Sequence, residues 1–229
     1  MWEQLKELPL PTDTVLYSVL TANTHYGKAI AWAATGNIEE AEKERALIQQ
    51  AAACVPESRL DFPNKVVDIL KVAAAMLDGE LQYRRGNYED AFKSLRIAIE
   101  LDDGLVYSEP WGWMLPTRHP YGALLLEQGH IEKAAAVYAE DLGLVEGQDS
   151  AHQHPNNLWA LHGYHECLVR LGHRVKALFR QRTFDTEYAR LHSRGLREIQ
   201  HIPFKARLTI STVAPFSALF WGGREQVLE

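Results

Sequence analysis

The sequence predicts an all-α protein, an α–α superhelix of about four helical hairpins followed by an irregular C-terminal tail. Three observations support this prediction. Glycines recur at Gly36, Gly86, Gly129 and Gly172, and an alanine stands five residues after each of them. The segments on both sides of each glycine carry apolar residues at the spacing of an amphipathic helix. The chain has 229 residues, 46% of them hydrophobic, which is enough to bury a sizeable core.

Each glycine is interpreted as the turn of a helical hairpin, because glycine ends a helix in a left-handed conformation that other residues resist. Asn37 and Asn87 follow the first two glycines, where they suit the turn and can cap the next helix. Small residues seven positions before a turn glycine allow two helices to cross closely. In the four repeats this position is occupied by Ala29, Gly79, Gly122 and His165.

The helical periodicity and the turn signals predict eight helices in four consecutive pairs. A loop begins at Val55 and passes Pro63, and Pro116 opens the third pair at a first-turn position where proline is tolerated. Further loops cover residues 102–115 and 143–155. The predicted helices cover residues 14–35 and 38–54, 66–85 and 88–101, 116–128 and 131–142, and 157–171 and 175–191.

With a small residue, a turn glycine and an alanine in register, the chain resembles the tetratricopeptide repeat family over residues 14–190. The match is best in two repeats, which carry Gly79, Gly86 and Ala91, and Gly122, Gly129 and Ala134. The four glycines lie 50, 43 and 43 residues apart, against about 34 in the family, so the surplus belongs to loops or longer helices. The chain also resembles a divergent group of such proteins from bacteria and fungi, in which a Glu-Pro-Trp-rich loop precedes a helix.

The resemblance implies a binding groove on the concave face, lined by the first helix of each hairpin. Its mixture of aromatic anchors and charges of both signs suits a peptide or a polar small molecule. The alternative is that some of these side chains are merely solvated or pack against the tail. The groove positions implied by the family are Asn23, Tyr26, Met76, Glu80, Tyr83, Arg84, His119, Ala123, Glu127, Trp159, His162, Glu166 and Arg170.

The loop at residues 107–119 is the most distinctive stretch of the sequence. It places Trp111 and Trp113 between two prolines, and two indoles are costly to leave in water. One interpretation is a pocket wall at the mouth of the groove, to which Glu109, Arg118 and His119 also contribute. The other is a structural plug in which both indoles fill the interior. The sequence leaves both interpretations open.

No motif in the sequence specifies catalysis or a cofactor. Histidines concentrate between His152 and His165, and imidazole with a carboxylate or thiolate is a plausible transition-metal shell. No second paired motif supplies further ligands at a fixed spacing, so we predict no metal and no other cofactor. Cys54, within a predicted helix, is expected to be a small core residue rather than a nucleophile.

Composition restricts the expected partners and compartment. A net charge of −6 provides no basic face for nucleic acid, and no apolar run approaches the length needed to cross a membrane. The charged N-terminus does not resemble a signal peptide, and two cysteines are too few for a disulfide framework. We therefore expect a soluble cytoplasmic protein.

The predicted domains are a helical repeat domain at residues 1–202 and an irregular apolar tail at residues 203–229. The tail has a strand-like segment and then Phe216, Leu219, Phe220 and Trp221. It is expected to dock back onto the repeats, to contact a partner or a second copy of the chain, or to be poorly ordered.

The sequence as a whole predicts a protein- or peptide-binding scaffold that uses the concave face of the repeats. The alternative is a small-molecule-binding accessory protein or an enzyme of a biosynthetic pathway, including secondary metabolism. That alternative would use the loop from Glu109 to His119, together with His162 or a metal.

Overall fold

The computed structural model describes residues 2–147 and 149–173, together with residues 183, 185 and 186. It confirms the all-α class. The first seven predicted helices are present, with ends that differ from the prediction by at most four residues. The eighth predicted helix, residues 175–191, lies outside the described residues except for residues 183, 185 and 186, and the tail at residues 203–229 lies outside them entirely. The helices are α1 (Trp2–Lys6), α2 (Ser18–Ala34), α3 (Ile38–Ala53), α4 (Val66–Arg84), α5 (Tyr88–Asp103), α6 (Arg118–Glu127), α7 (Ile131–Asp141) and α8 (Leu158–Arg170).

The chain divides into two compact units, Met1–Met114 and Leu115–Glu229. The first unit contains α1 to α5, and the described part of the second contains α6 to α8. The division falls within the tryptophan-containing loop.

The glycine turns form as the sequence predicts. Gly36, Gly86, Gly129 and Gly172 have φ angles of +85°, +82°, +79° and +75°. After each of them the next backbone N–H donates to a carbonyl five residues earlier, as from Asn37 to Trp32 and from His173 to Leu168. This bond satisfies a carbonyl that the end of the helix would otherwise leave unpaired.

The two asparagines at the turns behave differently. The side chain of Asn37 caps α3 by accepting a hydrogen bond from the Glu40 N–H at 3.2 Å. The prediction that Asn87 also caps its helix is wrong. Its Nδ2 donates to Gln82 Oε1 at 2.9 Å, and no cap bond to α5 forms. The two turns therefore share a backbone conformation but differ in what the asparagine side chain contacts.

The two glycines among the predicted crossing residues, Gly79 and Gly122, lie where paired helices cross closely, as predicted. A Cβ atom added at Gly79 of α4 would lie 2.6 Å from Leu95 Cγ of α5. A Cβ atom added at Gly122 of α6 would lie 2.9 Å from the Cζ atom of Tyr138 in α7. Leu95 and Tyr138 both stand nine residues after a turn glycine. The two hairpins thus repeat the same contact, with a larger side chain in the second.

Two short elements of the first unit are absent from the sequence prediction. Helix α1 packs on α2, and the Lys6 ammonium lies 4.2 Å from the ring centroid of Trp32. The predicted loop before α4 contains an antiparallel hairpin of β1 (Leu60–Asp61) and β2 (Asn64–Lys65). Both are too short for hydrophobic periodicity to reveal.

Cys54 corrects another expectation. It is exposed and forms the C-terminal cap of α3, whereas the sequence predicted a core residue within the helix. The helix ends at Ala53, and the chain turns so that Val55 enters the core with Val66 and Leu70. The end of the helix therefore decides which of two adjacent residues is buried.

Candidate functional site

Tyr26 and Trp113 form a buried aromatic pair in the first unit. Their ring centroids are 5.3 Å apart and the planes meet at 89°, an edge-to-face contact. Each side chain is only 2% exposed, and Trp113 Nε1 is a buried donor without a hydrogen-bond partner. Burial, and then the charge of Glu80, raise the pKa of Tyr26 well above its usual range. Trp113 thus fills the interior, whereas Trp111 remains 43% exposed.

Tyr83, a predicted groove anchor, also lies largely inside the first unit. Its ring centroid is 5.0 Å from that of Tyr88 and 6.4 Å from that of Phe92, both on α5. The ring therefore stabilises its own hairpin. A Tyr83→Ala variant would lose this packing together with any contact to a ligand, which makes it a poor test of binding.

Glu80 and Arg84 form an ion pair on one face of α4, with 2.8 Å between Glu80 Oε1 and Arg84 Nε. Glu80 is close enough to Tyr26 of α2 for its charge to act on the phenol. The first helices of two successive hairpins therefore lie side by side in this unit. Asn23, half-buried, also lies on α2.

Glu109 is exposed in the loop after α5, where its carboxylate accepts a hydrogen bond from the Tyr107 hydroxyl. This bond is the largest contribution to a raised pKa of Tyr107.

The side chain of Asn64, on β2, connects the same loop to the β-hairpin by two hydrogen bonds. Its Nδ2 donates to the Val106 carbonyl and its Oδ1 accepts from the Val106 N–H, each at 2.7 Å.

A buried polar cluster lies in the second unit. The buried carboxylate of Asp141, at the end of α7, contacts two imidazoles through its two oxygens. His119 Nε2 lies 2.8 Å from Oδ2, and His154 Nδ1 lies 2.8 Å from Oδ1. The backbone N–H of His154 also donates to the Asp141 carbonyl, which fixes the loop before α8 against α7. We call this group the His–Asp–His cluster.

The electrostatics of the His–Asp–His cluster favour an ionised carboxylate. Burial alone would raise the pKa of Asp141, but the charge and hydrogen bonds of His119 and His154 outweigh it and lower the pKa to about 2. An ionised carboxylate can only accept hydrogen bonds. His119 therefore carries a proton on Nε2 and His154 carries one on Nδ1.

Arg118, which the sequence placed at a pocket mouth, is buried at the start of α6. Its Nε lies 3.5 Å from Oε2 of Glu140 on α7. The guanidinium is thus paired within the second unit instead of being presented on the surface for an anion.

The predicted groove residues of α8 are half-buried or exposed. Trp159 and His162 are half-buried, and Glu166 forms an ion pair with the more exposed Arg170 one turn later. Glu166 and Arg170 precede Gly172 by the same intervals at which Glu80 and Arg84 precede Gly86. The same acid–base pair thus recurs at equivalent positions before two turn glycines.

Cys167, on the inner side of α8, is not poised for chemistry. Burial, and then the charge of Glu166, raise the pKa of its thiol to about 12. Its thiol is therefore protonated at neutral pH, and a thiol is a far weaker nucleophile than a thiolate. Tyr138 lies nearby, and burial followed by the charge of Cys167 raises the pKa of its phenol.

The sequence pattern indicates His119 as a site residue but not its partners in the cluster. His154 lies in a histidine-rich stretch that suggests only a metal ligand. Asp141 stands at the end of an amphipathic helix, where an acidic residue is ordinary, so no local signal indicates it. Within residues 2–147 and 149–173, no group of three or more His, Cys, Asp or Glu side chains is arranged to hold a metal ion.

Among the helices that the structure describes, none combines the length and the apolar character required to cross a membrane.

Comparison with family models, with curated proteins and with solved structures finds no match to this chain.

Proposed function

We propose that this chain is a protein- or peptide-binding scaffold whose ligand contacts the first helices of its hairpins. The observation that carries the proposal is the recurrence of one ion pair, Glu80–Arg84 on α4 and Glu166–Arg170 on α8. Both pairs contain a solvent-accessible guanidinium, so each hairpin offers a cation and an anion at a repeated position. A peptide offers charges and backbone dipoles of both signs to such a surface.

The packing of the first unit supports this interpretation. Gly79 of α4 faces α5, and Glu80 lies toward Tyr26 of α2. Adjacent first helices are what a repeat protein uses to build an extended binding face. The family resemblance of the sequence implies the same face.

The test uses a charge swap that preserves composition. In the Glu80→Arg/Arg84→Glu variant the ion pair is reversed. Because the Glu80 side chain is only 16% exposed, urea denaturation first verifies that the variant is as stable as the wild type. Partners captured by the wild-type chain from a lysate, identified by quantitative mass spectrometry, should be depleted at least about tenfold, since interface charges that meet like charges lose affinity.

The matched control is the Asp68→Lys/Lys71→Asp variant. This exposed pair lies on the same helix, with 2.7 Å between Lys71 Nζ and Asp68 Oδ1. It should retain every partner. Equal retention by the two swapped variants would contradict binding at the first helices.

A second candidate function is binding or conversion of a small molecule, and the His–Asp–His cluster favours it. A buried carboxylate that orients two imidazoles is an arrangement common in acid–base sites. Native mass spectrometry of protein purified without metal affinity distinguishes the two functions. A retained small-molecule mass that disappears in the His119→Gln/His154→Gln variant would favour this second function over the scaffold.

A further inference from the structure

Five exposed apolar side chains lie on two segments of the first unit that Asn64 joins. They come from the tip of the β-hairpin and from the loop after α5. Phe62, between the two strands, is 84% exposed, which is extreme for a phenylalanine. The set, which we call the aromatic corner, consists of Leu60, Phe62, Val106, Tyr107 and Trp111.

Asn64 holds the two segments of the aromatic corner together. Its amide pairs with both backbone groups of Val106, so the hairpin and the loop are joined next to the exposed side chains. The Asn64 side chain is buried, and a Cβ atom added at Gly112 would lie 3.2 Å from its Nδ2. A buried and doubly bonded amide therefore fixes the backbone at Val106 against the hairpin.

The charges around the aromatic corner are mainly negative. Helix α5 ends at Asp103, directly before the corner, and directs the negative end of its dipole there. Asp61 and Glu109 are exposed at the tip and in the loop. Glu57 is exposed as well, and Asp102 and Asp103 are half-buried, so these segments carry five acidic residues. Arg59 and Lys65, their two basic residues, offset only part of this charge.

We propose that the aromatic corner docks a cationic amphipathic segment of a protein partner, in which aliphatic or aromatic anchors alternate with lysine or arginine. Anchors of the partner would cover Phe62 and Trp111, and its cations would face Asp61, Glu109 and the end of α5. Cations also bind the faces of exposed aromatic rings. This surface differs from the proposed groove, so either can fail without the other.

The acidic surroundings oppose the other possible occupants. An anionic lipid surface would be repelled by Asp61 and Glu109, and a second copy would bring the same negative charges together. Both remain measurable outcomes of the experiment below.

The experiment titrates the full chain with a fluorescent 16-residue peptide of leucine and lysine at amphipathic helical spacing. A peptide with glutamate in place of lysine is titrated in parallel. The Phe62→Ser/Trp111→Ser variant removes two exposed anchors, and the Val15→Ser/Leu47→Ser variant removes two exposed apolar residues elsewhere in the first unit. Circular dichroism verifies that both variants fold. Co-sedimentation with phosphatidylserine-containing vesicles measures lipid binding, and analytical ultracentrifugation measures dimerisation, for the wild type and both variants.

We expect the lysine peptide to bind the wild-type chain and the Val15/Leu47 control equally. Its affinity should fall by about tenfold or more in the Phe62/Trp111 variant, because a few central aromatic anchors dominate such interfaces. An Asp61→Lys/Glu109→Lys variant should also bind the lysine peptide about tenfold more weakly than the wild type. Added salt should weaken binding of this peptide to the wild-type chain.

Four results would overturn the proposal. They are the absence of lysine-peptide binding, equal binding of the glutamate peptide, equal affinity of the Phe62/Trp111 variant, and loss of vesicle binding or of dimerisation in that variant. The last result would assign the corner to a lipid surface or to a second copy.

Discussion

Replacement of Asp141 by alanine is expected to lower the free energy of unfolding of the second unit by about 3–5 kcal/mol, the cost of breaking a buried pair. The carboxylate is fully buried, and its removal leaves the hydrogen-bonded nitrogens of His119 and His154 without their acceptor. Urea denaturation followed by circular dichroism measures the loss, and amide hydrogen exchange locates it at α6 to α8.

Glu132→Ala provides the control, since this acidic residue is exposed on the same helix. The Glu132→Ala variant should change the free energy of unfolding by no more than about 0.5 kcal/mol. A similarly small effect of Asp141→Ala would mean that the His–Asp–His cluster does not hold the second unit together.

The contribution of Asp141 should also depend on pH with a defined sign. Its pKa is lowered from 3.8 to about 2 in the folded chain, so the unfolded state takes up a proton first as the pH falls. The stabilisation is fully present above the unfolded value of 3.8 and is lost as the pH falls toward 2. The stability difference between wild type and the non-titrating Asp141→Asn variant should narrow by about 2 kcal/mol across this window. A difference that is constant with pH would contradict the lowered pKa.

The second large effect is expected for Gly163→Ala in α8. The added methyl group would overlap the ring of Tyr138, which α7 presents to this glycine. Overpacking of this kind costs about 1–3 kcal/mol, more than the roughly 1 kcal/mol that alanine contributes to helix formation. We therefore expect a net loss of stability in denaturant unfolding.

A double-mutant cycle identifies the cause. Tyr138→Leu introduces the residue found at the equivalent position of the second hairpin, Leu95, and removes most of the overlap. In that background Gly163→Ala should become neutral or stabilising, since only helix propensity remains. An unchanged penalty would show that the Tyr138 ring is not the source of the strain.

The sequence does not predict which of the two tryptophans in the loop is buried. Trp111 and Trp113 stand two residues apart in the same proline-flanked loop, and both the pocket-wall and the plug interpretations applied to each. In the structure Trp113 packs on Tyr26 and Trp111 remains exposed. The loop has no regular period, so only its tertiary contacts decide which indole is buried.

By itself the sequence determined the hairpins, because glycine turns, helix periodicity and small crossing residues act among neighbours in the chain. The left-handed conformation at Gly36 and the close approach at Gly79 follow from the absence of a Cβ atom. Only the tertiary structure decided the His–Asp–His cluster and the aromatic corner. Asp141 meets residues 22 and 13 positions away, and Asn64 meets a residue 42 positions away. Such contacts depend on how the helices pack, and no local pattern of residues specifies them.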